Sequence, residues 1–121
     1  MTDGIVVLIT ASSEDEAAAI AKALVEERLV ACVNIVSGMR SFFFWEGSMQ
    51  DARETLLICK SRRQLMEQII SRVKELHSYA VPEVIALPIA GGGVTTSIGC
   101  KRVQTDSGDI FPLDAGAQYE L

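Results

Sequence analysis

Apolar and polar positions along the chain switch between a period of two and a helical period. Residues 5–10 (IVVLIT) are a β-branched apolar run of strand length. Ala17, Ile20, Ala21 and Leu24 follow at helical spacing and predict a helix reaching about Arg28. Ser13 with Glu16 three residues on has the form of a capping box, and Glu14 and Asp15 suit the positive end of the helix dipole. Residues 31–36 and 39–45 read as strand, punctuated by Ser37-Gly38. Gly47 and Asp51 mark a connection, and residues 54–60 (ETLLICK) return as a third strand. The clearest helix lies over residues 63–76. There Leu65, Met66, Ile69, Ile70, Val73 and Leu76 trace one stripe, with Arg63, Glu67, Arg72, Lys74 and Glu75 outside it. Pro82 biases its neighbour to extended backbone, and residues 84–88 (VIALP) form a fourth strand. The order β-α-β-β-α-β predicts an α+β, ferredoxin-like βαββαβ fold: an antiparallel sheet with two helices on one face.

One stretch breaks the pattern. RSFFFWEGS, residues 40–48, sets Phe42, Phe43, Phe44 and Trp45 in a row, in a chain with 6% aromatic residues. Successive strand side chains point to opposite faces, so here neither face is polar. Two helices cover one face of the sheet, and the other needs a cover of its own. A second subunit is one candidate. The C-terminal segment folded back over the sheet is the alternative.

Composition narrows the class. The 121 residues suit one domain with its own core, 49% hydrophobic and 22% charged. A net charge of −5 argues against a nucleic-acid partner, and no apolar run approaches the ~20 residues of a membrane span. The first residues, MTDGIVVLIT, do not have the form of a secretory signal. Cys32, Cys59 and Cys100 are odd in number and lack a CxxC, which points to free thiols and a cytoplasmic setting.

Three blocks together carry a resemblance: ERLVACVNIVSGMRSFFFWEGSMQD, ETLLICKSRR and VKELHSYAVPEVIALPI. In order and spacing they resemble the CutA family of divalent-cation tolerance proteins, over residues 5–89. The resemblance implies a ferredoxin-like CutA-type domain over residues 1–90. It also implies a homotrimer packed through the sheet face, with the second hairpin reaching across to neighbours, and an architecture like that of PII signalling proteins. Two departures stand out. The family usually has Pro and often Glu where this chain has Ser78 and Ala80. Residues 91–121 form an atypical C-terminal tail with no helical stripe. A one-base shift in reading from Val94 can encode D-Y-L-N-W-M-Q-T, close to the usual family ending, so a reading-frame slip in the gene is the hypothesis for its origin. Resequencing the gene tests it.

Candidate chemistry is sparse. There is no GxSxG, P-loop or GxGxxG, and the glycine run 91–93 lacks the Lys-Ser/Thr of a phosphate loop. No catalytic constellation emerges, so the expected activity is binding, not turnover. Copper, or another divalent cation, is the ion that the resemblance implies. His77, the only histidine, with Cys32 or Glu83 would hold it at an accessible edge. Cys32 and Cys59 also fit the role of small buried hydrophobes in strands. Trp45, Glu46, Lys60, Tyr79 and Glu83 match family positions that cluster in an inter-subunit cleft. An aromatic wall with a few charges suits a small effector, as in a PII-like signalling or scaffold trimer. The same charges equally suit an interface salt bridge of Lys60 with Glu46 or Glu83.

Overall fold

The computed structural model describes residues 3–93. The tail expected over residues 91–121 therefore lies, from residue 94 on, outside the described residues. Seven elements follow one another: β1 (Gly4–Ala11), α1 (Glu14–Glu26), β2 (Cys32–Trp45), β3 (Ser48–Arg62), a 3-10 turn (Arg63–Leu65), α2 (Met66–Leu76) and β4 (Val84–Pro88). The strands form one sheet in the order β2-β3-β1-β4, every neighbouring pair antiparallel. This is the βαββαβ architecture that the periodicity implies.

The core lies between the sheet and the two helices. Ile5, Val7, Ile9 and Ala11 of β1 meet Leu57 and Cys59 of β3, Ala17, Ile20 and Leu24 of α1, and Ile69 and Val73 of α2. Odd-numbered residues of β1, and of β3 from Thr55 to Ser61, are buried because alternate strand side chains share a face. Burying a side chain such as Ile9 or Leu24 is worth about 1.5–3 kcal/mol.

The helix ends are set by their own residues. Ser13 caps α1: its Oγ accepts the Glu16 N–H at 3.1 Å. At the other end Leu29 N–H reaches Leu24 O at 2.9 Å and Arg28 N–H reaches Val25 O at 3.0 Å. That is a Schellman closure, with Arg28 at φ 61 where glycine is usual.

The hairpin differs from its expected form in two ways. The chain turns in two residues, Glu46 (φ 50) and Gly47 (φ 82), with Trp45 paired to Ser48. Both turn residues have positive φ, the backbone of a tight hairpin loop, so β3 begins at Ser48 and not near Glu54. In addition, β2 runs through Ser37-Gly38 as one strand with a register shift between Val36 and Met39. Val36 faces Leu56 and Met39 faces Glu54, so β2 carries one extra residue there, with Gly38 at φ 78.

Arg28 and Gly38 occupy the same left-handed backbone region, which costs a residue with a side chain about 1–2 kcal/mol. Arg28→Gly is expected to raise stability by about 0.5–1 kcal/mol and Gly38→Ala to lower it by about 1–2 kcal/mol. Urea denaturation of the two variants checks the opposite signs.

Candidate functional site

The helix-free face can be followed row by row from the strand pairing. Leu87, Val6, Lys60 and Cys32 stand side by side across the four strands; Ile85, Leu8, Ile58 and Asn34 form the next row, then Thr10, Leu56 and Val36. Past the bulge the same face continues with Glu54 beside Met39 and Gln50 beside Phe43. Where it meets the loop after α2, a cleft of about 480 Å³ opens, walled by Phe43, Trp45, Gln50, Glu54, Tyr79 and Glu83.

Tyr79 and Glu54 meet inside it. The Tyr79 hydroxyl donates to Glu54 Oε2 at 2.9 Å, and Glu54 is only 8% exposed. Burial pushes the Tyr79 phenol up, the bond to Glu54 and the charges of Glu54 and Glu16 add to it, and the result is a pKa of about 12. The phenol therefore stays a protonated donor at neutral pH.

His77 fixes the start of this loop. Its side chain is fully buried. Nε2 lies 2.6 Å from Thr10 O, and Nδ1 lies 3.0 Å from the Tyr79 nitrogen. A carbonyl only accepts and a backbone N–H only donates, so these partners assign the Nε2–H tautomer with its one lone pair on Nδ1 already engaged. Glu16 sits alongside, with Oε1 3.7 Å from Nδ1. Glu16 Oε1 accepts from the Ser12 N–H and hydroxyl, both at 2.9 Å, and Oε2 accepts from the Ser78 N–H at 2.8 Å. Burial raises the Glu16 pKa, but hydrogen bonds from Ser12 and Ser78 outweigh it and hold the carboxyl at about 2. A proline at position 78 would have no N–H to give, so Ser78 is what lets α1 hold the end of α2 here.

The residues expected to act together are divided by the fold. Trp45, Tyr79 and Glu83 converge on the cleft. Glu46 lies at the hairpin turn and Lys60 in the row of Val6 and Cys32, so neither walls the cleft. His77 is not at an accessible edge of the subunit: its side chain is fully buried and both ring nitrogens are hydrogen-bonded inside the fold. Nor is it near Cys32: His77 is bonded at Thr10 and Cys32 lies in the Val6 row, four residues or roughly 13 Å away along β1. Among the described residues, no group of three or more His, Cys, Asp or Glu side chains gathers as a metal centre. Cys59 is buried, and desolvation, reinforced by Cys32, pushes its thiol up to about 12. Glu54, which walls the cleft, carries one signal in the sequence: an acidic residue in the face parity of Leu56 and Ile58. Glu16 was legible only as a helix cap.

A family model described as CutA1 divalent ion tolerance protein matches residues 5–95. The chain belongs to the CutA1 family. The divalent-cation tolerance protein CutA of Thermus thermophilus is 54% identical over 87 residues, covering 72% of this chain and 84% of that protein. A chloroplastic CutA 1 of Oryza sativa is 46% identical over 90 residues, and the match spans about half of that longer protein. Among solved structures, CutA1 of Thermus thermophilus superposes with a TM-score of 0.81 at 46% identity, covering 84% of this chain and 99% of that one. CutA1 of Oryza sativa gives 0.83 at 40% identity, covering 87% and 96%. The Archaeoglobus fulgidus CutA, described as periplasmic, gives 0.78 at 37% identity, covering 87% and 97%.

The Glu16 network has a pH signature. Its carboxyl titrates at about 2 in the folded chain against an ordinary 4.5, so between those values the unfolded chain binds more protons. The stability it contributes is complete above about pH 4.5 and drains away as pH falls toward 2. In Glu16→Gln that part of the slope is expected to vanish, leaving a flatter stability profile below about pH 4.5 in urea titrations at successive pH values.

Proposed function

We propose that the chain serves divalent-cation tolerance as a binding protein, not an enzyme, assembled as a homotrimer through the helix-free sheet face and the β2–β3 hairpin. The observation that carries this reading is the apolar surface left uncovered on the subunit. Val36, Ile85 and Leu87 stand roughly half exposed on the helix-free face, and on the far side of the hairpin Phe42 and Phe44 are 57% and 77% exposed. Exposed apolar surface of this extent, on both faces of the hairpin and sheet, is unusual on a soluble monomer and typical of an interface. Membership of the CutA1 family supports the tolerance role, which the names of the relatives carry.

Two further features support binding over turnover. The His77 lone pair is engaged, and the Cys59 thiol is buried and protonated, so neither is poised as base or nucleophile. Copper is the ion proposed. Cys32 is half-buried in the Val6 row and Glu83 exposed beside Thr10, so the two can share an ion only across neighbouring subunits, while His77 would first have to break its hydrogen bonds. The free thiols of Cys32 and Cys59 support a reducing, cytoplasmic location.

Native mass spectrometry of the metal-free protein, repeated with a modest excess of Cu(II), tests the proposal. A trimer carrying integral, saturable copper is expected. Copper uptake should survive His77→Gln and fall in Cys32→Ser. Phe44→Ser and Ile85→Asp change side chains that are exposed on the isolated subunit, so they should leave its circular dichroism intact and shift the mass from trimer to monomer. A trimer retained in both variants would sink the proposed interface.

A further inference from the structure

We propose that the cleft beside the hairpin is filled in the assembly by a side chain of the neighbouring copy: the Lys60 ammonium of one subunit pairs with the buried Glu54 carboxylate of the next. The inference rests on the trimer proposed above and names the contact that keys its subunits together.

Two opposite charges on the helix-free face lack a counter-charge within the subunit. Glu54 is only 8% exposed, and its carboxylate accepts the Tyr79 hydroxyl at 2.9 Å. Among the described residues no cation pairs with it. A carboxylate held this far from water is costly unless a positive charge answers it. Lys60 is half-buried in the row of Leu87, Val6 and Cys32, and its ammonium has no ion pair among the described residues either. Both residues belong to β3 and share its helix-free face, because an even number of residues separates them. That separation is roughly 20 Å of strand, so the two cannot meet inside one subunit.

A cyclic assembly resolves this. Copies related by a three-fold rotation meet head to tail, so one end of a face lies against a different end on the neighbour and the ring closes. A cation at one end and a carboxylate at the other then meet once at every interface. The cleft suits such a guest. Glu54 and Glu83 are its charged groups, and no lysine, arginine or histidine stands among the described residues that wall it. Phe43 and Trp45 offer aromatic faces to a methylene stem and its ammonium. Glu46 and Glu83 are exposed and keep their hydration, so Glu54 is the carboxylate that gains most from a partner. Arg62, the other cation on this face of β3, is already engaged.

A double-substitution cycle on the metal-free, full-length protein tests the pair. Light scattering after size exclusion, at one fixed urea concentration below unfolding, gives the subunit concentration at which half the trimer has dissociated. Lys60→Met is expected to raise that concentration about tenfold or more, since it leaves Glu54 charged and unanswered inside the interface. Adding Glu54→Gln removes the charge while still accepting the Tyr79 hydroxyl, and should bring the value back to within about threefold of the parent. Lys60→Arg keeps the charge and should also stay within about threefold. No change in Lys60→Met, effects of the two substitutions that simply add, a loss in Lys60→Arg as large as in Lys60→Met, or an equal rescue by Glu46→Gln or Glu83→Gln would each overturn the pairing and leave the trimer standing. A parent protein that is monomeric at every concentration would overturn the trimer together with the pairing, so the two failures are told apart by the parent alone.

Discussion

The extra residue in β2 between Val36 and Met39 decides what the functional face is made of. Strand side chains alternate with a period of two, so inserting one residue exchanges the faces of everything beyond it. Before the bulge, Cys32, Asn34 and Val36 share the helix-free face with Leu56 and Ile58. After it, Phe43 and Trp45 share that face with Glu54 and Gln50, while Phe42 and Phe44 turn the other way. Without the insertion Phe42 and Phe44 would face the loop after α2, and Trp45 would point away from Tyr79. Gly38 makes the insertion affordable, because its φ of 78 suits a residue with no side chain.

The opposite wall of the cleft depends on a polar anchor. Glu16, at the first turn of α1, holds the Ser78 N–H, and His77 joins Thr10 of β1 to the Tyr79 backbone. These bonds tie the start of one helix, the end of the other and the end of the central strand β1 to a single point. Tyr79 leaves that point at a set angle and reaches Glu54. A lone histidine that invites a metal assignment thus has structural work of its own, and its hydrogen bonds compete with any ion for the same lone pair.

Much of the fold was legible from local pattern. The Leu65–Val73 stripe, the IVVLIT run and the Ser13–Glu16 cap each report their element through spacing that depends only on helix or strand geometry. The hairpin was less legible because Gly47 and Asp51 both read as turn residues. Pairing of Phe42 with Asp51 and Trp45 with Ser48 extends the strands through the polar stretch and leaves two residues for the loop. The candidate site was half legible. Trp45, Tyr79 and Glu83 could be named by resemblance, but the partnership of Tyr79 with Glu54 spans 25 residues and has no local signal.

By itself, then, the sequence determined the element order, the helix-facing core and the surplus of apolar residues in the hairpin, since periodicity and composition are properties of the chain. The tertiary structure alone decided which aromatics face which way, that Lys60 and Cys32 stand in one row far from His77, and that two carboxylates meet an aromatic wall. Those facts rest on register across strands distant in sequence, and one residue more or less in a strand reverses them.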